Sequence, residues 1–290
     1  MSLQSFLKSG TRLVFAAAIA FGGAVTVAAV CGLSVVPQAQ AGNYEPDDIW
    51  KDLANDIFKG RPIEKGDGVL ALDTPIRAED AAIVPMTIGF TLPAQDTRRV
   101  VKVTLVVDQN PAPVVAAFTV GESSGVNSIT TRVRVNDYSW VHAVAELSDG
   151  KLYGVQRFVK AAGGCSAPAG KNAEEALLNL GKMKFKQIDR HGAASNALRE
   201  AQLLVRHPNN SGMQRDQVTL LFIPARFVAE AKIYQGDDLV LAMEGGISIS
   251  EDPNFRFTYR PNGAKTFRAE IKDTDAKVFS NEFVIDESQG

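Results

Sequence analysis

Cysteine is scarce in this 290-residue chain, which holds two, Cys31 and Cys165, and histidine is nearly as rare, with His142, His191 and His207. No paired Cys or His spacing of the kind a zinc site requires is present. There is no basic excess either: 31 Lys and Arg stand against 33 Asp and Glu, for a formal charge of -2. That balance gives no footing for nucleic acid, which calls for a basic stripe or patch. Gly66-Asp67-Gly68 lies outside any strand-turn-helix context and reads as a turn rather than a phosphate loop. Asp237-Asp238 and Asp273-Thr274-Asp275 read as solvated turns rather than a calcium loop. Neither a cofactor nor a metal is expected, and no internal repeat is evident.

What is present begins with an N-terminal segment in which Lys8 and Arg12 precede an apolar, Gly/Ala-rich run from Leu13 to Val36, followed by Pro37 and Ala39-Gln40-Ala41. Basic, apolar and small-x-small segments in that order are the signature of a secretory signal peptide covering residues 1–41, with cleavage after Ala41. The run is longer than a typical signal core, so a retained anchor is the alternative, since roughly 18 apolar residues can span a bilayer. No arginine pair precedes the run, and Val30 is too bulky for the residue before a lipidated cysteine. Cleavage would remove Cys31 and leave a chain of formal charge -4, 29 basic against 33 acidic residues, carrying one thiol with no intramolecular partner.

The remaining residues favour strands. From Pro46 to Phe58, Ile49, Trp50, Leu53, Ala54 and Ile57 fall at helical spacing behind Asp47 and Asp48, which predicts a short amphipathic helix. The period then changes to two. Ile83 to Leu92, Arg99 to Asp108, Val114 to Val120, Ile129 to Val135, Ser139 to Glu146 and Leu152 to Lys160 are short runs separated by turn residues, the pattern of an antiparallel sandwich. After Gly163 the pattern lapses, and Lys171 to Lys186 reads as a helix capped by Asn172, with Glu174 and Glu175 in its first turn and Lys182, Lys184 and Lys186 near its end. Strand periodicity resumes at Glu200 to Arg206. It continues through Phe227, Ala229, Ala231 and Ile233, then Phe255, Phe257 and Tyr259, then Phe267, Ala269 and Ile271. The fold class is therefore mainly β: two Ig-like antiparallel β-sandwich domains, 42–165 and 199–290, joined by a partly helical linker, 166–198, behind a short N-terminal helix.

Cys165 sits in Gly163-Gly164-Cys165-Ser166-Ala167-Pro168, at the end of the first block. Small residues on both sides describe an exposed loop and a presented sulfur, with little bulk to keep it out of a narrow site on another protein. The bland alternative is a small buried hydrophobe, a common fate of free cysteine. Reactivity would depend on the thiolate, and Lys160 and Lys171 flank the segment. A Cys–His dyad would need His142, His191 or His207 to meet Cys165 in space, and the chain shows no local signature of one. His142, in Ser139-Trp140-Val141-His142-Ala143, reads as a strand residue on a polar face.

Asn110-Pro111-Ala112-Pro113, Thr131-Arg132-Val133-Arg134, Ala143-Val144-Ala145 and Gly163-Gly164-Cys165 together resemble SoxY; His207-Pro208, Gly212-Met213 and Phe255-Arg256-Phe257 resemble SoxZ. These are the two subunits of the periplasmic carrier of the Sox sulfur-oxidation system, here similar to a fused pair covering nearly all of residues 42–290. The resemblance implies a periplasmic carrier rather than an enzyme. Cys165 would be the point of covalent attachment for a small sulfur intermediate, and Gly163, Gly164, Ser166 and Ala167 a flexible arm. The partners it implies are periplasmic redox enzymes, either Sox-type cytochromes or a quinoprotein dehydrogenase. No nucleic acid, and no membrane once the signal is cleaved, are expected. The family arm ends its chain as Gly-Gly-Cys-Gly-Gly, whereas here Ser166 and Ala167 follow and the chain runs on, a pattern similar to fused carriers associated with quinoprotein dehydrogenases. The competing reading is a non-covalent binding or assembly module supporting such a dehydrogenase and its cytochrome.

Overall fold

The order of elements places a helix ahead of a long series of strands. The computed structural model describes residues 46–168, 173–188 and 197–285. The signal segment 1–41, the Asn172 cap and His191 lie outside the described residues. Helix α1 covers Pro46–Phe58, as the 3.6-residue period predicts. The first block then supplies β1 (Ile63–Lys65), β2 (Leu70–Asp73), β3 (Val84–Phe90), β4 (Val100–Val107), β5 (Val114–Val120), β6 (Ser128–Val133), β7 (Ser139–Leu147) and β8 (Leu152–Val159). After the short helix α2 (Ala173–Leu178) come β9 (Met183–Ile188), β10 (Arg199–Val205), β11 (Val228–Gln235), β12 (Asp238–Gly245), β13 (Asn254–Tyr259), β14 (Thr266–Asp273) and β15 (Val278–Val284).

Both blocks have the Ig-like sandwich plan, and the two are joined edge to edge in both layers. One sheet has nine strands in the order β1-β8-β7-β4-β5-β12-β11-β14-β15; the other has six, β2-β3-β6-β13-β10-β9. The seam is β5 against β12, with Val120 opposite Leu241 and Phe118 opposite Met243, and β6 against β13, with Ile129 opposite Phe257. Pairing is antiparallel except where β1 runs parallel to β8. Between the layers, inward residues of the first block such as Val103, Leu105 and Phe118 share one continuous core with Phe255, Phe257, Tyr259, Phe267, Ala269 and Ile271 of the second. Edge-to-edge pairing removes four open sheet edges, those of β5, β12, β6 and β13, and the shared core excludes water from the seam.

Four expectations need correction, the last of them under α1. The helix predicted from Lys171 to Lys186 ends at Leu178, and Met183-Lys184-Phe185-Lys186-Gln187-Ile188 is β9, paired antiparallel to β10. The lysines that suited a helix C-terminus alternate with core residues instead: Lys184 and Lys186 are exposed, while Phe185 stacks on Phe267 at 4.5 Å and on Phe283 at 5.3 Å. A six-residue period of two was outweighed by the charge pattern of a helix end. In β11 it is Val228, not Phe227 and Ala229, that joins Ala231 and Ile233 in the core, because a register shift between Val228 and Glu230 changes the phase of the strand. Asp273 is buried rather than solvated, bound by both Nε and Nη2 of Arg226.

On the outer face of the nine-stranded sheet, α1 covers β7 and β8 with a second, small core of Phe58, Val144 and Leu152 backed by Trp50, Ala54, Ile57 and Ile63. His142 is therefore not on an open polar face. Its ring lies flat against Trp50, centroids 3.6 Å apart, and its Nε2 is 3.2 Å from Asp108 Oδ2.

Candidate functional site

The segment after β8 folds back onto the seam rather than projecting from it. Gly163 N–H donates to Asn136 O at 2.8 Å and Gly164 N–H to Val135 O at 3.0 Å, so both glycines are tied to the strand exit after β6. Gly163 has φ of +78°, a left-handed turn that favours glycine, and space around it is open. At Gly164 the constraint is proximity: a Cβ there would stand 2.0 Å from Ala81 O and 2.6 Å from Val135 O. The second glycine thus permits a close backbone approach that brings the next residue inward.

That next residue is Cys165, whose exposure is 0%. The exposed, freely presented sulfur expected from the sequence is corrected accordingly: the glycines allow tight packing, and the neighbouring small side chains leave room for it. Ser166 is exposed and closes a local turn, its N–H and hydroxyl both donating to Gly163 O at 3.2 Å. Ala167 is half-buried, and its carbonyl accepts from Gln214 Nε2 at 3.1 Å. Ser211 Oγ donates to Cys165 O at 2.5 Å. Ser211 is itself held, its N–H bonded to Gln214 Oε1 at 3.0 Å.

From the first block comes Arg134, just beyond β6 and 1% exposed, among the largest fully buried side chains. Its Nη1 donates to Gly164 O at 3.2 Å and its Nη2 to Asn209 O at 3.3 Å, while its Nε has no partner. Asn110 fixes the main chain here, its Nδ2 donating to Arg134 O at 2.7 Å and to Ser248 Oγ at 2.9 Å and its Oδ1 accepting from Asn136 N–H at 2.8 Å. On the other side, Asn209 adopts φ of +42°, and its N–H donates to His207 Nδ1 at 3.0 Å. Burial pushes the His207 pKa down, against the pull of Asp273 3.6 Å from Nε2, which suits a neutral ring accepting at Nδ1.

The family model for sulfur oxidation protein SoxY matches residues 54–165, ending on Cys165, and that for sulphur oxidation protein SoxZ matches residues 187–284. The chain is a fused SoxYZ-like protein. No curated protein matches it. Among solved structures, the sulfur carrier protein SoxY from Chlorobium limicola f thiosulfatophilum is similar at 23% identity and a TM-score of 0.32, covering 40% of this chain and 94% of that one.

In these terms, the SoxY part supplies Cys165 and Arg134, and the SoxZ part supplies Asn209, Ser211 and Gln214, all drawn from the long connection between β10 and β11. Sequence reasoning missed Arg134, Asn209, Ser211 and Gln214 as site residues, although Arg134 and the flanking His207-Pro208 and Gly212-Met213 carry the resemblance. Neither His142 nor His207 is a partner of Cys165; the first is held by Trp50 and Asp108, the second by Asn209. The charged group that acts on the sulfur is Arg134. Burial pushes the thiol up to about 11, with the guanidinium pulling the other way and losing. A neutral thiol is a poor nucleophile, and this one is both buried and favoured in its protonated form. Beyond Gln214 the same connection presents Val218, Leu220, Leu221 and Phe222 to solvent.

Proposed function

We propose that the protein is a periplasmic covalent carrier in sulfur oxidation, holding a small sulfur intermediate on Cys165 and delivering it to partner redox enzymes without catalysing a reaction itself. The observation that carries this reading is that the SoxY match ends on the one cysteine of the described residues, in a segment outside every strand. Side chains of the SoxZ part hold that segment through main-chain carbonyls, and such bonds are individually worth about 1 kcal/mol. Release of a few of them frees the arm without unfolding a sheet. Loading would proceed in the released state, where the thiol is exposed and ionises more readily: the thiolate attacks the sulfur–sulfur bond of an incoming disulfide- or polysulfide-level compound and expels the departing sulfur as an anion, leaving a mixed disulfide or persulfide that exchange with a partner's thiol can discharge. Export through residues 1–41 would place this chemistry in the periplasm.

Intact-mass measurement of the protein isolated from its native compartment tests this. Sulfur-bearing mass increments that vanish in Cys165→Ser, with loss of the sulfur-dependent phenotype, support it. A thiol that is always unmodified, together with an unaffected Cys165→Ser strain, overturns it.

The buried sulfur and the exposed Val218, Leu220, Leu221 and Phe222 favour a second reading, a non-covalent assembly module for a quinoprotein dehydrogenase and its cytochrome. Under that reading Cys165→Ala keeps both partner capture and function, while polar substitutions at Leu221 and Phe222 abolish capture.

A further inference from the structure

Arg134 is an expensive residue to bury. Removing an ion from water costs several kcal/mol after relaxation, and an adequate return requires a partner of opposite charge with the remaining donors satisfied. Arg134 has neither. Its Nη donors meet two neutral main-chain carbonyls, its Nε meets nothing, and it forms no ion pair among the described residues. Asp80 and Glu251 act on it only as more distant charges, and Cys165, whose ionised form would support its protonated state, is held as the neutral thiol. Burial pulls its own pKa down, so the site as it stands is short of negative charge.

One of the two carbonyls belongs to Gly164, the residue before the sulfur, and the other to Asn209 in the SoxZ part. The guanidinium is therefore pinned at the seam beside the attachment point, with an unused N–H. A planar, permanently charged fork is well matched to oxygen-rich or sulfur anions and offers nothing comparable to a neutral alkyl group.

We propose that Arg134 is the residue that recognises what Cys165 carries, serving as counter-charge to an anionic adduct on the sulfur and so retaining anionic adducts in the folded-in state while letting neutral ones go. This rests on the carrier reading. The unloaded segment is held without a charge pair, by the main-chain bonds of Gly163 and Gly164, the Arg134 bond to Gly164 O and the Ser211 and Gln214 bonds, whereas an adduct ending in a sulfonate or a sulfide anion adds one. Recognition then follows the charge of the load rather than its size.

The test uses full-length mature protein loaded chemically at Cys165, which separates recognition from loading in the cell. Tetrathionate gives the anionic adduct: the thiolate attacks an inner sulfur, forming Cys–S–S–SO3− and expelling thiosulfate. Methyl methanethiosulfonate gives the neutral one, Cys–S–S–CH3, expelling methanesulfinate. Release of each by dithiothreitol is followed by intact mass in the wild type, Arg134→Met and Arg134→Lys. The expected result is that Arg134→Met speeds release of the sulfonate adduct at least tenfold and leaves the methyl adduct within twofold, with Arg134→Lys restoring part of the protection. Equal acceleration of both adducts would reduce Arg134 to a structural clamp and overturn the inference, as would no change in either. Should Arg134→Met not fold, the wild type alone decides: the sulfonate adduct must raise the melting temperature relative to the methyl adduct, and an equal or lower value overturns the proposal. If Cys165 accepts neither reagent even on prolonged exposure, the carrier reading itself fails, and this inference with it.

Discussion

Ser211 Oγ donates to the main-chain carbonyl of Cys165 at 2.5 Å, a bond that joins residues 46 positions apart and links the SoxZ part to the sulfur-bearing end of the SoxY part. Under the proposed carrier role this bond exists only while the segment is folded in, so its removal should act on the segment before it acts on the fold. A buried hydroxyl bond of this kind is worth about 1 kcal/mol, or roughly fivefold in an opening equilibrium. Ser211→Ala is expected to speed alkylation of Cys165 by iodoacetamide at pH 8 by about that factor, with the melting temperature little changed. An unaltered alkylation rate would show that the bond does not hold the arm.

Two neighbouring glycines should behave differently when given the same methyl group. At Gly164 the added Cβ meets main-chain oxygens of Ala81 and Val135 at distances no side chain tolerates, so Gly164→Ala should leave the segment permanently out and alkylation as fast as in denatured protein. At Gly163 space is open and only the positive φ resists, at a cost of about 1–2 kcal/mol. Gly163→Ala should therefore give an intermediate rate. Comparing the two by timed alkylation separates close approach from backbone flexibility as the reason for the Gly-Gly pair.

The raised thiol pKa fixes the sign of the pH dependence. Because burial favours the protonated sulfur, the folded-in state holds that proton more tightly than the released one, so this contribution to its stability is complete below pH 9, the ordinary value, and is lost as pH rises through about 11. Ultraviolet absorbance of the thiolate, titrated against a Cys165→Ser blank, should show ionisation well above the ordinary cysteine midpoint. Arg134→Met should move it further upward, since the guanidinium is the one charge opposing burial.

The stack of Trp50 on His142 predicts an effect confined to the other face. Trp50 is half-buried, so truncating it removes the stacking and part of its apolar cover, for about 2 kcal/mol. Trp50→Ala should lower the urea midpoint and leave Cys165 alkylation of the native protein at the wild-type rate. A change in that rate would mean that α1 and the arm are coupled.

Much of the architecture was legible from local pattern. Helix α1 matches its predicted bounds, and six strands of the first block fall within a residue or two of theirs, because amphipathic periods of 3.6 and 2 are set by which side chains each element must bury. The failures share a different cause. Lys184 and Lys186 suit a helix end, and what makes β9 a strand is Phe185 entering a ring cluster with Phe267 and Phe283, about 80 and 100 residues away. For His142 the local sequence indicates a polar face, because nothing adjacent in sequence shows Trp50 lying over it.

The same division runs through the site. Sequence alone singled out Cys165, its glycines and the SoxY and SoxZ resemblance, since residue type, spacing and composition are properties of a short stretch of chain. Whether the sulfur faces water was not such a property. Small residues permit exposure and close packing equally, and the choice rests on Ala81, Arg134, Asn209, Ser211 and Gln214 converging from distant strands and loops. Burial of a side chain, and the charge that burial suppresses, depend on what the rest of the fold places around it, so only the tertiary structure could decide that this thiol is buried and protonated.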